Sequence, residues 1–200
     1  GKHDETLRMV RANVAAWSRE RAENGLDAIV MTASGCGTIV KDYGYLLQDD
    51  HQWAEAASDL AGIVKDVTEV VESLKLPAKN SGSEIRVAYQ DACSLAHGQR
   101  IREAPRALLR DAGFEVVEVP DGHLCCGSAG TYSALQPVLA NLLGDQKVEH
   151  IQSIAPDVVA VGNIGCINQI SARTRIPVVH TVELLDWATG GPRPSGLGTL

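Results

Sequence analysis

The chain has 200 residues, 18 Lys and Arg against 25 Asp and Glu, a net charge of −7 and a hydrophobic share of 44%. That length can bury a sizeable core in one or two domains. The acidic balance excludes the basic footprint of a nucleic-acid binder or of a protein drawn to anionic lipid. No apolar run approaches the roughly 20 residues of a membrane-spanning helix, and the first residues, GKHDETLRMV, do not read as a secretory leader. Membrane association is therefore expected only through a partner.

In chain order, Glu5 to Asn24 reads as an amphipathic helix, with Leu7, Val10, Val14 and Trp17 at helical spacing and Gly25 as its stop. DAIVMTASGC then reads as a buried strand running into a Gly-flanked loop. Gln52 to Leu76 reads as helix with a break near Gly62, and PAKNSGS (77–83) as a linker. Beyond it, strands are expected at 85–90, 114–120, 157–162 and 176–180. Helices are expected at 100–111, 131–154 and 182–188, and a loose Gly/Pro-rich tail from 191 to 200. Strands alternating with helices predict an α/β fold with mostly parallel sheets.

The chain also repeats itself. Asp27–Cys36 aligns without gaps on Asp157–Cys166 at an offset of 130, and Val67–Val71 resembles Thr181–Leu185 at an offset of 114. The reading is of pseudo-repeated layered units. Residues 1–80 form the end of a truncated first repeat plus linker, and residues 81–190 form a complete second one.

Five cysteines are present: Cys36, Cys93, Cys125, Cys126 and Cys166. An odd number with an adjacent pair does not read as a secreted disulfide framework. It reads as intracellular thiols kept for metal or redox chemistry. In the second repeat each cysteine falls where an expected strand gives way to a loop. In an open parallel sheet such loops gather at the carboxyl edge. Four thiolates there suit an iron–sulfur cluster or zinc, against the plainer alternative of buried small apolar residues. Gly127, Gly130, Gly162 and Gly165 would let backbone N–H groups approach the sulfurs.

The pattern C…CCG…C resembles the cysteine-rich CCG domain, which occurs in heterodisulfide reductase, lactate-utilisation, anaerobic glycerol-3-phosphate dehydrogenase and glycolate dehydrogenase subunits. TASGCGTIVKDYGYLL (32–47), YQDACSLAHGQRIR (89–102), LCCGSAGTYSALQP (124–137), GNIGCINQI (162–170) and IPVVHTVELLDWATGGP (176–192) look like the iron–sulfur subunits of glycolate dehydrogenase (glycolate oxidase). The resemblance implies a [4Fe–4S] cluster on Cys93, Cys125, Cys126 and Cys166, with Cys36 joining a site only in a full-length first repeat. It implies an electron-transfer subunit without a substrate site of its own, in the cytoplasm or peripheral on the cell membrane. Electrons would pass from an FAD-containing partner subunit, which oxidises glycolate, toward the quinone pool. The final C-x-x-C of the family is incomplete here, because Gln169 stands where the last cysteine would be. That counts against a heterodisulfide-type catalyst. A cluster-free scaffold docking a flavin subunit is the third reading.

Four further residues stand near these motifs. Asp91 is expected to orient the Cys93 loop by accepting backbone N–H bonds. His97 neighbours Cys93 but more often such a residue packs or caps. His180 and Glu183, at a strand–helix junction, read as a structural cap.

Overall fold

The computed structural model describes residues 2–79 and 84–197. The chain forms two compact units that meet between Val67 and Thr68. None of its described helices is long and apolar enough to cross a membrane.

The first unit opens with α1 (His3–Asn24), whose Val10 and Val14 are buried, and continues through β1 (Ile29–Met31), α2 (Ser34–Lys41), α3 (Tyr43–Leu46), α4 (Ala54–Gly62) and β2 (Val64–Asp66). The two strands pair in parallel. Their helices close over a core of Val10, Val14, Val40, Tyr43, Leu47, Leu60 and Val64, where Trp17 stacks on Tyr43 at 5.9 Å. Arg11 donates from Nε to Asp50 at 2.7 Å across this unit. The strand β2 lies inside the helix expected over Gln52–Leu76. Three residues are too few to display a two-residue period, so Ile63, Val64 and Val67 pass for a continuing helical stripe.

The second unit carries α5 (Val67–Leu74), β3 (Arg86–Tyr89), α6 (Glu103–Asp111), β4 (Glu115–Glu118), α7 (Tyr132–Leu135), α8 (Pro137–Ser153), β5 (Val158–Val161), α9 (Ile164–Ser171), β6 (Val178–His180) and α10 (Thr181–Ala188). Its sheet is wholly parallel in the order β4-β3-β5-β6. The fold is thus α/β, as expected. Side chains alternate along β3: Val87 and Tyr89 join Leu109, Phe114 and Leu184 on one face, while Ala88 joins Val148, Ile151 and Ile170 on the other. Both faces are covered by helices, so all four residues of β5 are buried. Full burial of each Val contributes about 1.5–3 kcal/mol.

The helix expected over 131–154 is two helices. Gln136 precedes a proline, leaves the helical region (φ −130°, ψ 58°), and Pro137 restarts the helix at its first position. The linker expected at 77–83 is described only to Lys79, whose N–H donates to Ala188 O at 2.7 Å; residues 80–83 lie outside the described residues. The segment expected to be a loose tail instead makes a 3-10 turn, Ser195–Leu197, with Leu197 buried in the core beside Val179, because its apolar side chain finds a place under the sheet edge. Residues 198–200 lie outside the described residues.

Several elements of the two units stand at the offsets noted in the sequence. The helix α2 begins and ends 130 residues before α9, and β2 and α5 match β6 and α10 at an offset of 114. Ile29 pairs with Val64, and at the same offsets Val159 pairs with Val178.

Candidate functional site

From β3 the chain crosses to β4 on one side, and from β4 it returns past β3 to β5 on the other. Connections leaving β3 and β5 in opposite directions open a crevice at the carboxyl edge, the usual ligand position in such sheets. Cys93 leaves the end of β3, just before a single π-helical turn, Ser94–Gly98. Cys166 follows β5, in the first turn of α9. Cys125 and Cys126 follow β4.

The structure brings these four thiols together. Cys126 and Cys166 are buried, with their sulfurs 3.2 Å apart. Cys125 hydrogen-bonds both Cys126 and Cys93. Backbone donors complete the arrangement. The Gly127 N–H reaches Cys125 Sγ at 3.3 Å, the Ser128 N–H reaches Cys126 and the Ser94 N–H reaches Cys93. Among the described residues no three His, Cys, Asp or Glu side chains surround one ion position. The Cys126 and Cys166 sulfurs, 3.2 Å apart, lie closer than the S···S spacing of about 3.8 Å that a tetrahedral zinc with 2.3 Å bonds would impose, and must part to admit a metal between them. In kind the donor set fits a soft metal or a cluster: four thiols on three separate loops, met by N–H groups. Cys36 stands in the first turn of α2 and is exposed.

Proton sharing makes the thiols unequal. Hydrogen bonds from Cys126 and from Cys93 hold the Cys125 thiol far below its ordinary pKa, aided by the Gly127 N–H and the charge of Lys147, and opposed by burial. The same bonds push Cys93 and Cys126 up, with burial adding to both. Cys93, Cys125 and Cys126 therefore share their protons as one coupled group.

Two glycines make the convergence sterically allowed. Gly127 has φ +86°, and a Cβ there would lie 2.3 Å from the Ala140 carbonyl oxygen of α8. A Cβ on Gly165 would lie 2.5 Å from Ser128 Oγ, so a side chain here would make the serine hydroxyl of the CCG loop turn away. Gly130 and Gly162 have open space or ordinary contact. Asn163 caps α9 by accepting from the Gly165 N–H at 2.8 Å, and its Nδ2 reaches Ser94 Oγ at 3.4 Å, tying the Cys166 loop to the Cys93 loop.

The surrounding residues are placed as follows. The Asp91 carboxylate receives Arg106, at 2.9 Å from Nη1 and 2.5 Å from Nη2, rather than serving only as a loop cap. Arg106 also reaches Glu118 at 3.0 Å and stacks over Tyr89, so the pair braces the ends of β3 and β4. His97 is exposed and lines a small polar cavity of about 260 Å³ with Arg102, Arg106 and His123. His180 and Glu183 form a capping box on α10: His180 Nδ1 accepts from the Val182 N–H and Glu183 accepts from the His180 N–H. Gln169 donates to Ala140 O at 2.9 Å beside Gly127.

Sequence reasoning missed Lys147. Its side chain is 1% exposed, and its Nζ donates to Asp121 O at 3.1 Å and Gly122 O at 3.4 Å. Burial lowers its pKa, an effect offset by the charges of Cys126, Asp91, Cys125 and Asp121. The signal was present: Ala140, Gly144, Lys147, Val148 and Ile151 share the buried stripe of α8, where a lysine is out of place.

Comparison with known proteins agrees with this arrangement. Residues 87–171 match the family described as CCG, cysteine-rich domain. The chain is 37% identical over 183 residues to the glycolate oxidase iron-sulfur subunit of Escherichia coli K12, covering 91% of this chain and 44% of that one. It is 28% identical over 200 residues to the probable glycolate oxidase iron-sulfur subunit of Bacillus subtilis 168, covering 95% of this chain and again 44% of the relative. It is 30% identical over 165 residues to lactate utilization protein A of Bacillus licheniformis, covering 79% and 69% of the two chains. The chain thus spans less than half the length of the glycolate oxidase subunits it matches. With its CCG motif, its parallel sheet and these relatives, the chain belongs to the cysteine-rich CCG family of glycolate oxidase iron-sulfur subunits and lactate utilization proteins.

Proposed function

We propose that residues 81–190 are a complete CCG domain in which Cys93, Cys125, Cys126 and Cys166 hold a [4Fe–4S] cluster, and that the chain is the electron-relay part of a 2-hydroxy-acid dehydrogenase. The observation that carries this reading is the meeting of four thiols from three loops at one sheet edge, with backbone N–H groups on their sulfurs. When bound, the cluster supplies one-electron transfer. Cys93 and Cys166 anchor it from the two sides of the crevice, and Cys125 and Cys126 close it from the third loop. The N–H groups of Ser94, Gly127 and Ser128 stabilise thiolate charge. In this reading a separate flavin subunit oxidises glycolate and this chain passes the electrons toward a quinone-type acceptor, in the cytoplasm or peripheral on the cell membrane through its partners. Glycolate is favoured by the 37% identical relative. Lactate is the competing substrate, because lactate utilization proteins also match.

The test is iron and sulfide content per chain, with low-temperature EPR after dithionite reduction, on protein prepared without oxygen. Cys93→Ser and Cys166→Ser each remove a ligand with no cysteine nearby in sequence and should lose bound iron. Gln169→Ala should keep it, and Cys36→Ser should change little. Full iron and an unchanged signal in Cys166→Ser, or a colourless wild-type protein carrying zinc, would refute the four-thiolate cluster.

A further inference from the structure

Lys147 is an ionisable side chain on the buried, largely apolar stripe of α8. It stands beside Val148 of the core that contains Cys126 and Cys166, and is 1% exposed. Leaving an ammonium group there costs several kcal/mol unless an anion lies close by. Among the described residues it makes no ion pair with a carboxylate. Asp91 is bound to Arg106, and the Asp121 side chain is 58% exposed to solvent. Its two hydrogen bonds go to main-chain carbonyls, of Asp121 and Gly122. His150, one turn further along α8, reaches Pro120 O at 3.0 Å. Three successive carbonyls of the segment leading into Cys125 are thus held by α8. The sulfurs of Cys126 and Cys125 lie within reach of the Lys147 charge.

We propose that Lys147 is the built-in counter-charge of the four-cysteine site: its ammonium balances the negative charge of the ligated thiolates and raises the reduction potential of the group they hold. The inference rests on the reading that the four cysteines carry an iron–sulfur cluster. A charge fixed at one side of a largely buried site favours the more negative, reduced state, and low effective dielectric leaves it poorly screened. The carbonyl contacts are a second, separable task. A neutral side chain with N–H donors serves them equally well.

Two variants separate charge from anchoring. Lys147→Gln keeps donors and removes the charge; Lys147→Met removes both. Each is prepared anaerobically beside the wild type. Iron and sulfide are counted, the midpoint potential is read by EPR-monitored redox titration, and thermal unfolding of the metal-free form is followed by circular dichroism. The expected result is a more negative midpoint in both variants, by about tenfold in the reduction equilibrium, or about 59 mV for one electron. Thermal unfolding of the metal-free forms shows whether each variant folds. If the metal-free Met variant does not fold, the Gln variant decides the question. A Gln variant that keeps the wild-type midpoint overturns the proposal and reduces Lys147 to a loop anchor. A wild type that binds no iron overturns the cluster reading itself, and the proposal with it.

Discussion

Gly127→Ala offers a direct test of how the CCG loop is built. At φ +86° an L-residue pays the left-handed penalty of about 1–2 kcal/mol. The new Cβ would also lie 2.3 Å from Ala140 O and 3.0 Å from Gln169 Nε2. The first is a backbone atom of a 17-residue helix and cannot rotate away, so the loop and α8 must separate. Such overpacking costs about 1–3 kcal/mol, for a combined loss of about 2–5 kcal/mol. At about 4 °C per kcal/mol for a unit of this size, the melting temperature should fall by roughly 8–20 °C. Gly130→Ala is the internal control. Gly130 is also left-handed, at φ +61°, but a Cβ there meets nothing within 4 Å, so only the conformational cost applies and the fall should be about 4–8 °C. The assay is thermal unfolding of both variants by circular dichroism, in metal-free protein. Equal melting temperatures for the two alanines would refute the argument that contact with α8 shapes this loop.

Two further outcomes follow from the ionic contacts. Asp91→Ala leaves Arg106 largely buried with the exposed Glu118 as its remaining carboxylate partner and should destabilise by about 3 kcal/mol, whereas the double variant Asp91→Ala, Arg106→Met should recover most of that loss in urea unfolding. In the first unit, the hydrogen bond from Arg11 holds the Asp50 carboxyl below its ordinary value of 3.8. Its contribution to stability is therefore present above the unfolded-state pKa and is lost as pH falls through the folded one. A carbon-detected NMR titration should place Asp50 below 3.8 and move it back up in Arg11→Ala; an unchanged midpoint in that variant would show that Arg11 is not the cause.

The parts of the fold that were legible in the sequence are those with enough residues to show a period. The run Val158–Val161 is apolar throughout because β5 is covered on both faces, and the segment 157–162 reads as a strand. The long helix near residue 140 was legible from its spacing, but its break was not, although Pro137 announced it. The strand β2 was hidden by its length. It could have been recovered from the repeat, since Val64–Asp66 stands in the same relation to Val67–Val71 as Val178–His180 does to Thr181–Leu185. At the site, the four cysteines were legible because strand ends in a parallel sheet share an edge. The Arg106–Asp91 pair and the Lys147 contacts were not. They depend on which residues of distant segments meet, and a sequence shows only which residues are unusual for their stripe.

Two strand–helix segments at an offset of 130 place their cysteines in different surroundings. Cys36 and Cys166 hold the same place, the third residue of an eight-residue helix that follows a strand of matching register. Yet Cys36 is exposed and Cys166 is buried. The difference lies in what each helix meets. Gly165, the residue before Cys166, admits Ser128 of the CCG loop. That contact sets Cys126 at 3.2 Å from Cys166, and the Asn163 side chain ties the same turn to Ser94 beside Cys93. Position on the scaffold therefore supplies a thiol at a sheet edge, while the loops that close over it supply the burial, the N–H donors and the neighbouring thiols. It follows that perturbing Gly165 or Asn163, neither of which bears a sulfur, should disturb the four-thiol cluster more than any change at Cys36.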